Sequence, residues 1–97
     1  MTSKFRIVYT PSASRQFFEA LHYIQTERPS AAKNFRVKAE KVLSRLEVYP
    51  ESGSLIPEFP GSDYKQVLVT PYRFFYRVEK NVVWVVGVWH DAQLPRI

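Results

Sequence analysis

The sequence contains no cysteine, and its two histidines, His22 and His90, lie far apart along the chain. Without cysteine there is no disulfide framework, no thiolate nucleophile and no cysteine-ligated metal site. The histidine spacing does not match a structural zinc site either. No apolar run approaches the roughly 20 residues that a membrane-spanning helix needs, and residues 1–10 lack the apolar segment of a signal peptide. These absences favour a cytoplasmic protein that needs no cofactor.

The composition of the chain supports one globular domain over residues 1–97. Hydrophobic residues make up 45% of the sequence, which is enough for a packed core. The formal net charge is +5. A small basic domain favours a polyanionic partner such as nucleic acid, the ribosome, an acidic peptide or an anionic membrane surface. The alternative is that the excess charge only keeps the protein soluble.

The first half of the chain predicts a strand followed by a helix hairpin. The segment 5–10 has the alternation of a short strand. Two helices follow, and a serine is expected to cap each of them, Ser12 or Ser14 for the first and Ser30 for the second. The connection between them is short, which predicts an antiparallel hairpin. The apolar faces are formed by Phe17, Leu21 and Ile24 in the first helix and by Ala32, Phe35, Ala39, Val42, Leu46 and Tyr49 in the second.

The second half of the chain predicts a three-stranded antiparallel meander. The proline- and glycine-containing segment 49–64 is expected to be a loop. The predicted strands are 65–70, 73–78 and 82–89, and Gly87 indicates a bulge or a close approach in the last one. The predicted fold class is therefore α+β: an N-terminal strand, a two-helix hairpin and the meander, with the helices packed on one face of the sheet.

Two arginines, Arg73 and Arg77, lie in the most hydrophobic hairpin of the sequence. Alternate residues of a strand share a face, so these arginines point to the same side as Phe75. If residues 80–81 form a two-residue turn, Arg73 lies opposite Val88 and His90 continues on the same side. We therefore expect Arg73 and His90 to lie together on an open face of the sheet, with the arginine reaching solvent. A one-residue shift of register would separate them.

The second predicted helix carries a basic face formed by Lys38, Lys41 and Arg45. Residues three and four apart lie on the same side of a helix. This face is either an ordinary solvated surface or a surface that contacts phosphates or an acidic partner.

Two long stretches resemble the RelE/ParE superfamily of toxins from type II, plasmid-stabilising toxin–antitoxin systems. They are residues 12–59 and residues 71–95. The hairpin "YRFFYRV…VVWVVGVWH" matches the Tyr-Arg-apolar-apolar-Tyr-Arg-Val pattern of the family, and "PSAA" and "YPESG" match at the two ends of the second helix. The resemblance implies the α+β fold predicted above and a growth-inhibiting toxin that a cognate antitoxin neutralises.

The superfamily contains two mechanisms, and the resemblance leaves both open. RelE-like members cleave messenger RNA in the ribosomal decoding site without a metal, and ParE-like members poison DNA gyrase without being enzymes. Cleavage by the first group uses attack of the ribose 2′-OH on the adjacent phosphate. It requires a base, a group that stabilises the phosphorane charge and often an acid for the leaving oxygen.

The resemblance gives four residues candidate catalytic roles. Arg73 matches the arginine over the scissile phosphate, His90 matches a general acid, and Glu58 loosely matches a general base. Lys65 matches the first of two lysines on the RelE catalytic strand. The second of those lysines is Val67 here, and the segment 91–97 lacks the tyrosine and the basic cluster of RelE. These departures count against the RelE mechanism, and the choice between the ribosome and gyrase as target stays open at this point. Contact with a partner or with nucleic acid is expected at Arg77, Lys38, Lys41 and Arg45.

Two functions from other classes fit the same residues. One is an interaction module whose basic sheet binds an acidic protein segment. The other is an RNA-binding sheet on which aromatic side chains such as Phe75 and Trp89 stack against bases. The second requires exposed aromatic rings, whereas buried rings would be core.

Overall fold

The computed structural model describes residues 4–93. These residues form two helices and five strands, in the order β1 (Arg6–Tyr9), α1 (Pro11–Glu27), α2 (Pro29–Leu46), β2 (Ser54–Leu55), β3 (Lys65–Val69), β4 (Tyr72–Glu79) and β5 (Val82–His90). The strands form one sheet with the order β1-β5-β4-β3-β2. β1 is parallel to β5, and the other neighbours are antiparallel. The predicted α+β class is confirmed, with a mixed sheet because β1 docks parallel to β5.

Both helices begin at a proline rather than at the predicted serines. Pro11 and Pro29 occupy first helical positions, where the missing N–H costs no hydrogen bond. Thr10 caps α1, because its Oγ1 accepts a hydrogen bond of 3.1 Å from the backbone N–H of Ala13. Arg28 alone separates α1 from α2. The prediction of serine caps was wrong, because the proline ring favours the first helical position and each helix therefore starts up to one turn before the predicted serine.

The core lies between the helix hairpin and one face of the sheet. Phe17 packs its ring against Phe74, with centroids 5.8 Å apart, and against Phe35 at 6.2 Å. Most residues of the predicted apolar helix faces belong to this core or pack against it. Tyr49 is an exception, because α2 ends at Leu46 and leaves this residue exposed. The buried residues of the core are Ala13, Ala20, Phe35, Ala39, Leu43, Leu46, Val69, Tyr72, Phe74, Tyr76, Val83, Val85 and Val88.

The pairing of β4 with β5 contains a bulge that changes the predicted register. Arg77 lies opposite Trp84, as expected, but the register shifts between Phe75 and Tyr76. Beyond this shift Arg73 lies opposite Trp89. A Cβ on Gly87 would lie 2.8 Å from Nε1 of Trp89, so glycine at this position lets the indole lie against its own strand. The bulge and close approach predicted at Gly87 are both confirmed.

The predicted loop 49–64 contains the short strand β2. Ser54 and Leu55 pair with Gln66 and Lys65 of β3. The hydroxyl of Tyr76 accepts a hydrogen bond of 2.9 Å from the backbone N–H of Gly53, which holds the start of β2 against the sheet. The prediction missed this strand because two residues are too few to show an alternating pattern.

Neither helix within residues 4–93 combines the length and apolar character that a membrane crossing requires.

Candidate functional site

Arg73 is held by Glu58 in a two-pronged ion pair. Nη1 donates to Oε2 at 2.9 Å, and Nη2 donates to Oε1 at 3.0 Å. The guanidinium carbon also lies 4.9 Å from the centroid of the Phe75 ring, in cation–π range. Arg73 is 7% exposed. Its fork, which is the feature that suits arginine for phosphate recognition, is already occupied by a carboxylate of the same chain.

A second carboxylate lies close to the same guanidinium. Oδ1 of Asp91 is 3.9 Å from Nε of Arg73. One cation therefore has two anions around it, and the local formal charge is negative. A phosphate approaching Arg73 would meet two carboxylates, and like charges in a partly buried site repel strongly.

The face of the sheet that carries Arg73 and Phe75, which we call the back face, is not open. Phe75 and Ile56 are fully buried, but they do not belong to the core that the helices cover on the other face. Glu58 reaches Arg73 from the loop that follows β2, so this loop lies over that part of the back face. The expectation of an open face with a solvated Arg73 was wrong. A fully buried Phe75 also cannot stack on a base, which removes one support for the RNA-binding alternative.

His90 lies on the opposite side of the sheet from Arg73. It pairs with Tyr72, and their rings meet edge to face with centroids 5.2 Å apart. The ring of Tyr72 in turn packs against Phe35 of α2, so this is the helix side of the sheet. Burial raises the pKa of the Tyr72 phenol, and Tyr23 adds to the shift. The expectation that Arg73 and His90 share a face was wrong. The bulge adds one residue to β5, so Arg73 lies opposite Trp89 instead of Val88, and His90 lies opposite Tyr72 on the other face.

The ring of His90 is held by the residues that follow it. Its Nδ1 accepts a hydrogen bond of 3.0 Å from the backbone N–H of Ala92. Its backbone N–H donates to Oε1 of Gln93 at 2.8 Å. A neutral ring in this arrangement carries its proton on Nε2.

Lys65 lies apart from both Arg73 and His90. It pairs with Tyr76 across β3 and β4, and its Nζ is 4.0 Å from Oε1 of Glu51. Tyr76 is four residues from Tyr72 along β4, so Lys65 and His90 are separated by about 13 Å along the strand direction. Of the four candidate catalytic residues, the structure brings together Arg73 and Glu58 alone.

The remaining candidate residues lie on the surface. Arg77 is partly exposed, and its Nη2 is 3.3 Å from Oε1 of Glu79. Lys38, Lys41 and Arg45 are exposed on one side of α2. Among residues 4–93 these three form no ion pair within 4.0 Å. The basic face predicted on the second helix is therefore present and available to a partner.

Sequence reasoning named Arg73 and Glu58 but missed that they bind each other, and it missed Asp91 altogether. The two residues of the pair are fifteen positions apart and are joined through an irregular loop. No periodic pattern connects such positions. Asp91 follows β5 directly, so the correct strand register would have placed it near Arg73.

A comparison with protein families gives one match, to a model described as the ParE toxin of the type II toxin–antitoxin system parDE, over residues 7–95. The chain belongs to this ParE toxin family. It is therefore a toxin of the type II toxin–antitoxin class, as the resemblance to the RelE/ParE superfamily predicted. A search of curated protein sequences finds no match.

Solved structures similar to this ParE-family toxin confirm the fold. A chain of the chromosomal ParDE TA system from P. aeruginosa superposes with a TM-score of 0.74 at 12% identity, covering 92% of this chain and 98% of that chain. The YoeB dimer structure from Staphylococcus aureus gives a TM-score of 0.59 at 16% identity, covering 91% and 98%. A YoeB/ParE toxin from Agrobacterium tumefaciens gives 0.57 at 16% identity, covering 88% and 96%. At these identities the likeness concerns the fold alone.

Proposed function

We propose that this ParE-family toxin stops growth by binding and poisoning DNA gyrase, and that it does not cleave RNA. The toxin acts in the cytoplasm as a single domain over residues 1–97, and a cognate antitoxin neutralises it. It needs no cofactor. The observation that carries this proposal is the two-pronged ion pair between Arg73 and Glu58.

Metal-independent RNA cleavage requires a base, an acid and a phosphate clamp around one scissile bond. Such groups act at hydrogen-bond distance from the reacting atoms. Here the candidate base, Glu58, neutralises the candidate clamp, Arg73, and the candidate acid, His90, lies on the other side of the sheet. A ribonuclease would therefore have to break a buried ion pair and still lack its acid. Binding to a protein target requires none of these rearrangements.

The match to the ParE toxin family model over residues 7–95 supports the same choice. The competing function is ribosome-dependent cleavage of mRNA. It is favoured by the presence of Arg73, His90 and Glu58 at positions that match the ribonucleases of the superfamily. If the toxin acts on gyrase as proposed, these three residues are expected to have structural roles.

The test applies purified toxin to both targets in parallel. One arm measures gyrase supercoiling and stabilised gyrase–DNA breaks, and the other maps mRNA cuts on translating ribosomes. We expect breaks in the first arm and an uncut message in the second. Cuts that depend on ribosomes, with unaffected gyrase, would overturn the proposal. Expression of the toxin without antitoxin should arrest growth. Unimpaired growth with confirmed folded protein would contradict the toxin assignment.

For the antitoxin we propose an acidic amphipathic segment that docks on the basic face of α2. Lys38, Lys41 and Arg45 are exposed there, and the adjacent groove between α2 and β3 has a volume of about 310 Å³. Val42 and Leu68 contribute apolar surface to this groove. An amphipathic partner segment places apolar anchors in such a groove and acidic residues beside the cations. Hydrogen exchange should show added protection over α2 when the antitoxin binds.

A further inference from the structure

Strand β5 extends beyond the end of β1 and leaves a strand edge there. β1 pairs with β5 from Arg6 to Tyr9, opposite Val82 to Val85. Among residues 4–93, no strand pairs with this side of β5 from residue 86 to residue 90. An uncovered strand edge offers unpaired N–H and C=O groups to other chains, so proteins usually cover such edges.

Two glutamine side chains cover this edge of β5. Oε1 of Gln16, on α1, accepts a hydrogen bond of 2.9 Å from the backbone N–H of Val88. Oε1 of Gln93 accepts one of 2.8 Å from the backbone N–H of His90, and the N–H of Gln93 donates to the carbonyl oxygen of His90 at 2.9 Å. Gln16 belongs to a helix that packs in the core, whereas Gln93 belongs to the exposed segment 91–93. The cover over His90 therefore depends on the turn that brings Gln93 back to the strand.

The imidazole of His90 closes that turn. Its Nδ1 accepts a hydrogen bond of 3.0 Å from the N–H of Ala92, two residues further on. This is the bonding pattern of an Asx turn, with a ring nitrogen in place of the asparagine oxygen. A protonated imidazole carries an N–H at both nitrogens, so its Nδ1 would face the N–H of Ala92 as one donor against another. Protonation of His90 and the closed turn are therefore mutually exclusive.

We propose that the turn from His90 to Gln93 is a pH-sensitive clasp over the end of β5, closed while His90 is neutral and open when its ring is protonated. Histidine is the side chain whose charge ordinarily changes between pH 5 and 8. As the pH falls through the titration of the ring, the bond from Ala92 is lost, and Gln93 releases the N–H and C=O of His90. The sheet stays paired, because the N–H of Asp91 donates to the carbonyl oxygen of Pro71 at 2.8 Å.

The other ionisable groups near the ring titrate outside this pH range. They are Tyr72 on β4, Tyr23 and Glu19 on α1, and Asp91 with its neighbour Arg73. Glu19 lines a cavity of about 250 Å³ beside the ring of Tyr72. Carboxyl groups titrate near pH 4, phenols near pH 10 and arginine above pH 12, so none of them ordinarily changes charge between pH 5 and 8. A response in that range therefore points to His90.

The first test is a pH titration of the full chain followed by nuclear magnetic resonance, in which the two histidine rings can be observed separately. At pH 8 the ring nitrogens of His90 should show a bare Nδ1 and a proton on Nε2. As this ring titrates, the heteronuclear NOE values of the Ala92 and Gln93 amides should fall with the same midpoint, because they report fast backbone motion. The value for Asp91 should stay constant.

The size of the effect follows from the loss of one hydrogen bond at an exposed site. The ratio of closed to open clasp should fall by about three- to tenfold when His90 is protonated. Amides of Ala92 and Gln93 that stay equally ordered across the titration of the ring overturn the proposal. A neutral ring that carries its proton on Nδ1 overturns it as well.

Three variants separate the hydrogen-bond acceptor from the charge. His90→Asn keeps an acceptor oxygen at the position of Nδ1 but does not titrate, so the clasp should stay closed at pH 8 and at pH 5. His90→Phe keeps an aromatic ring against Tyr72 without an acceptor, so the clasp should be open at both pH values. The matched control is His22→Asn, which removes the exposed histidine of α1 and should respond to pH as the wild type does.

The same variants identify any other group that controls the turn. Glu19→Gln should open between pH 8 and pH 5 as the wild type does. A His90→Asn variant that still opens in this range, or a Glu19→Gln variant that no longer opens, assigns the response to another group and overturns the proposal. The clasp does not depend on the target of the toxin, so failure of gyrase inhibition would overturn the proposed function and leave the clasp intact.

Discussion

The guanidinium of Arg73 and the carboxylate of Glu58 form two nearly equal hydrogen bonds, of 2.9 and 3.0 Å, on the back face of the sheet. Arg73 is almost entirely buried, whereas the side chain of Glu58 is 36% exposed. The pair therefore joins the irregular loop after β2 to the central strand β4. Loss of Glu58 leaves Arg73 with Asp91, whose Oδ1 is 3.9 Å from Nε. Loss of Arg73 leaves Glu58 with no cation within 4.0 Å among residues 4–93.

Arg73→Ala is expected to lower the free energy of unfolding by about 3 kcal/mol, at the lower end of the range for a broken buried ion pair. The lower end applies because the remaining Glu58 can turn towards water. The melting temperature should fall by roughly 12 °C or more. The control Arg77→Ala removes a partly exposed pair and should cost less than about 1 kcal/mol. Calorimetry on both variants checks this. An unchanged melting temperature with lost toxicity would show that Arg73 contacts the target directly.

Glu58→Leu combined with Arg73→Met should recover much of the stability that either substitution loses alone. Each single change leaves one buried charge unpaired, whereas the double change leaves none. Urea unfolding of the four proteins gives the coupling free energy, which should exceed about 1 kcal/mol for residues in contact. Additive single effects would mean that the ion pair seen here contributes little to folding.

The helices could be predicted from the sequence because their apolar residues must face one core. Phe35 and Ala39 are buried as the helical spacing predicted, since any other orientation would place them in water. The start of each helix was less predictable, because proline and serine compete for the same turn. The apolar face of the second helix was predicted to extend too far, because α2 ends at Leu46 and Tyr49 beyond it is exposed.

The strand register could not be predicted because β5 is apolar on both faces. Val85 and Val88 both face the helices, and a single extra residue between them makes this possible. Gly87 indicated a bulge, but the pattern does not say how many residues it inserts. The partner of Arg73 was equally unpredictable, since it depends on the path of the loop that carries Ile56 and Glu58.

Gly53→Ala is expected to destabilise the protein by about 1–3 kcal/mol, as overpacking in a tight site does. A Cβ at this position would lie 2.5 Å from Oη of Tyr76 and 2.7 Å from the carbonyl oxygen of Gln66. The backbone oxygen cannot move without disturbing the β2–β3 pairing. Thermal unfolding measures the effect. A Gly53→Ala variant as stable as the wild type would show that the loop before β2 can shift at no cost.

Tyr76→Phe provides the matched measurement at the same contact. It removes the acceptor for the Gly53 N–H and should cost about 1 kcal/mol or somewhat more. It should relieve little of the Gly53→Ala defect, because the clash with the Gln66 carbonyl remains. Full recovery in the double variant would place the whole effect in the tyrosine hydroxyl.

Tyr9 should make the protein less stable in strong alkali. Burial, with a further contribution from the charge of Glu40, raises the pKa of its phenol from 10.0 to about 12. The folded state therefore holds this proton more tightly than the unfolded state. The resulting stability is fully present below pH 10 and is lost as the pH rises from 10 towards 12, by up to about 2–3 kcal/mol.

Tyr9→Phe removes this phenol and should flatten part of the alkaline loss, although Tyr72 and Tyr76, whose pKa values are also raised by burial, keep some of it. Denaturant unfolding at pH 7, 9, 10.5 and 11.5 makes the comparison. The difference between the two proteins should be constant at pH 7 and 9 and should shift in favour of the variant at higher pH. A constant difference across all four values would contradict the raised pKa.

Reversing the charges of the basic face of α2 should weaken antitoxin binding without affecting the fold. Lys38, Lys41 and Arg45 are solvent-exposed, so substituting all three by glutamate should change the free energy of unfolding by roughly 1 kcal/mol or less. If each cation contributes about 0.5–1 kcal/mol to an exposed contact, the triple reversal should weaken binding by at least about tenfold. It should also reduce the dependence of the affinity on salt, because salt screens the attraction between these exposed cations and an acidic partner.

The matched control is the reversal of Lys33 and Arg36 on the same helix, where Arg36 already pairs with Glu40. Isothermal titration at two salt concentrations compares the two variants against one antitoxin. Equal weakening by both would mean that the antitoxin responds to net charge alone. Selective weakening by the first variant supports docking on the face formed by Lys38, Lys41 and Arg45. An unchanged affinity would place the antitoxin on another surface, because cations that contact an acidic segment cannot be reversed without repelling it.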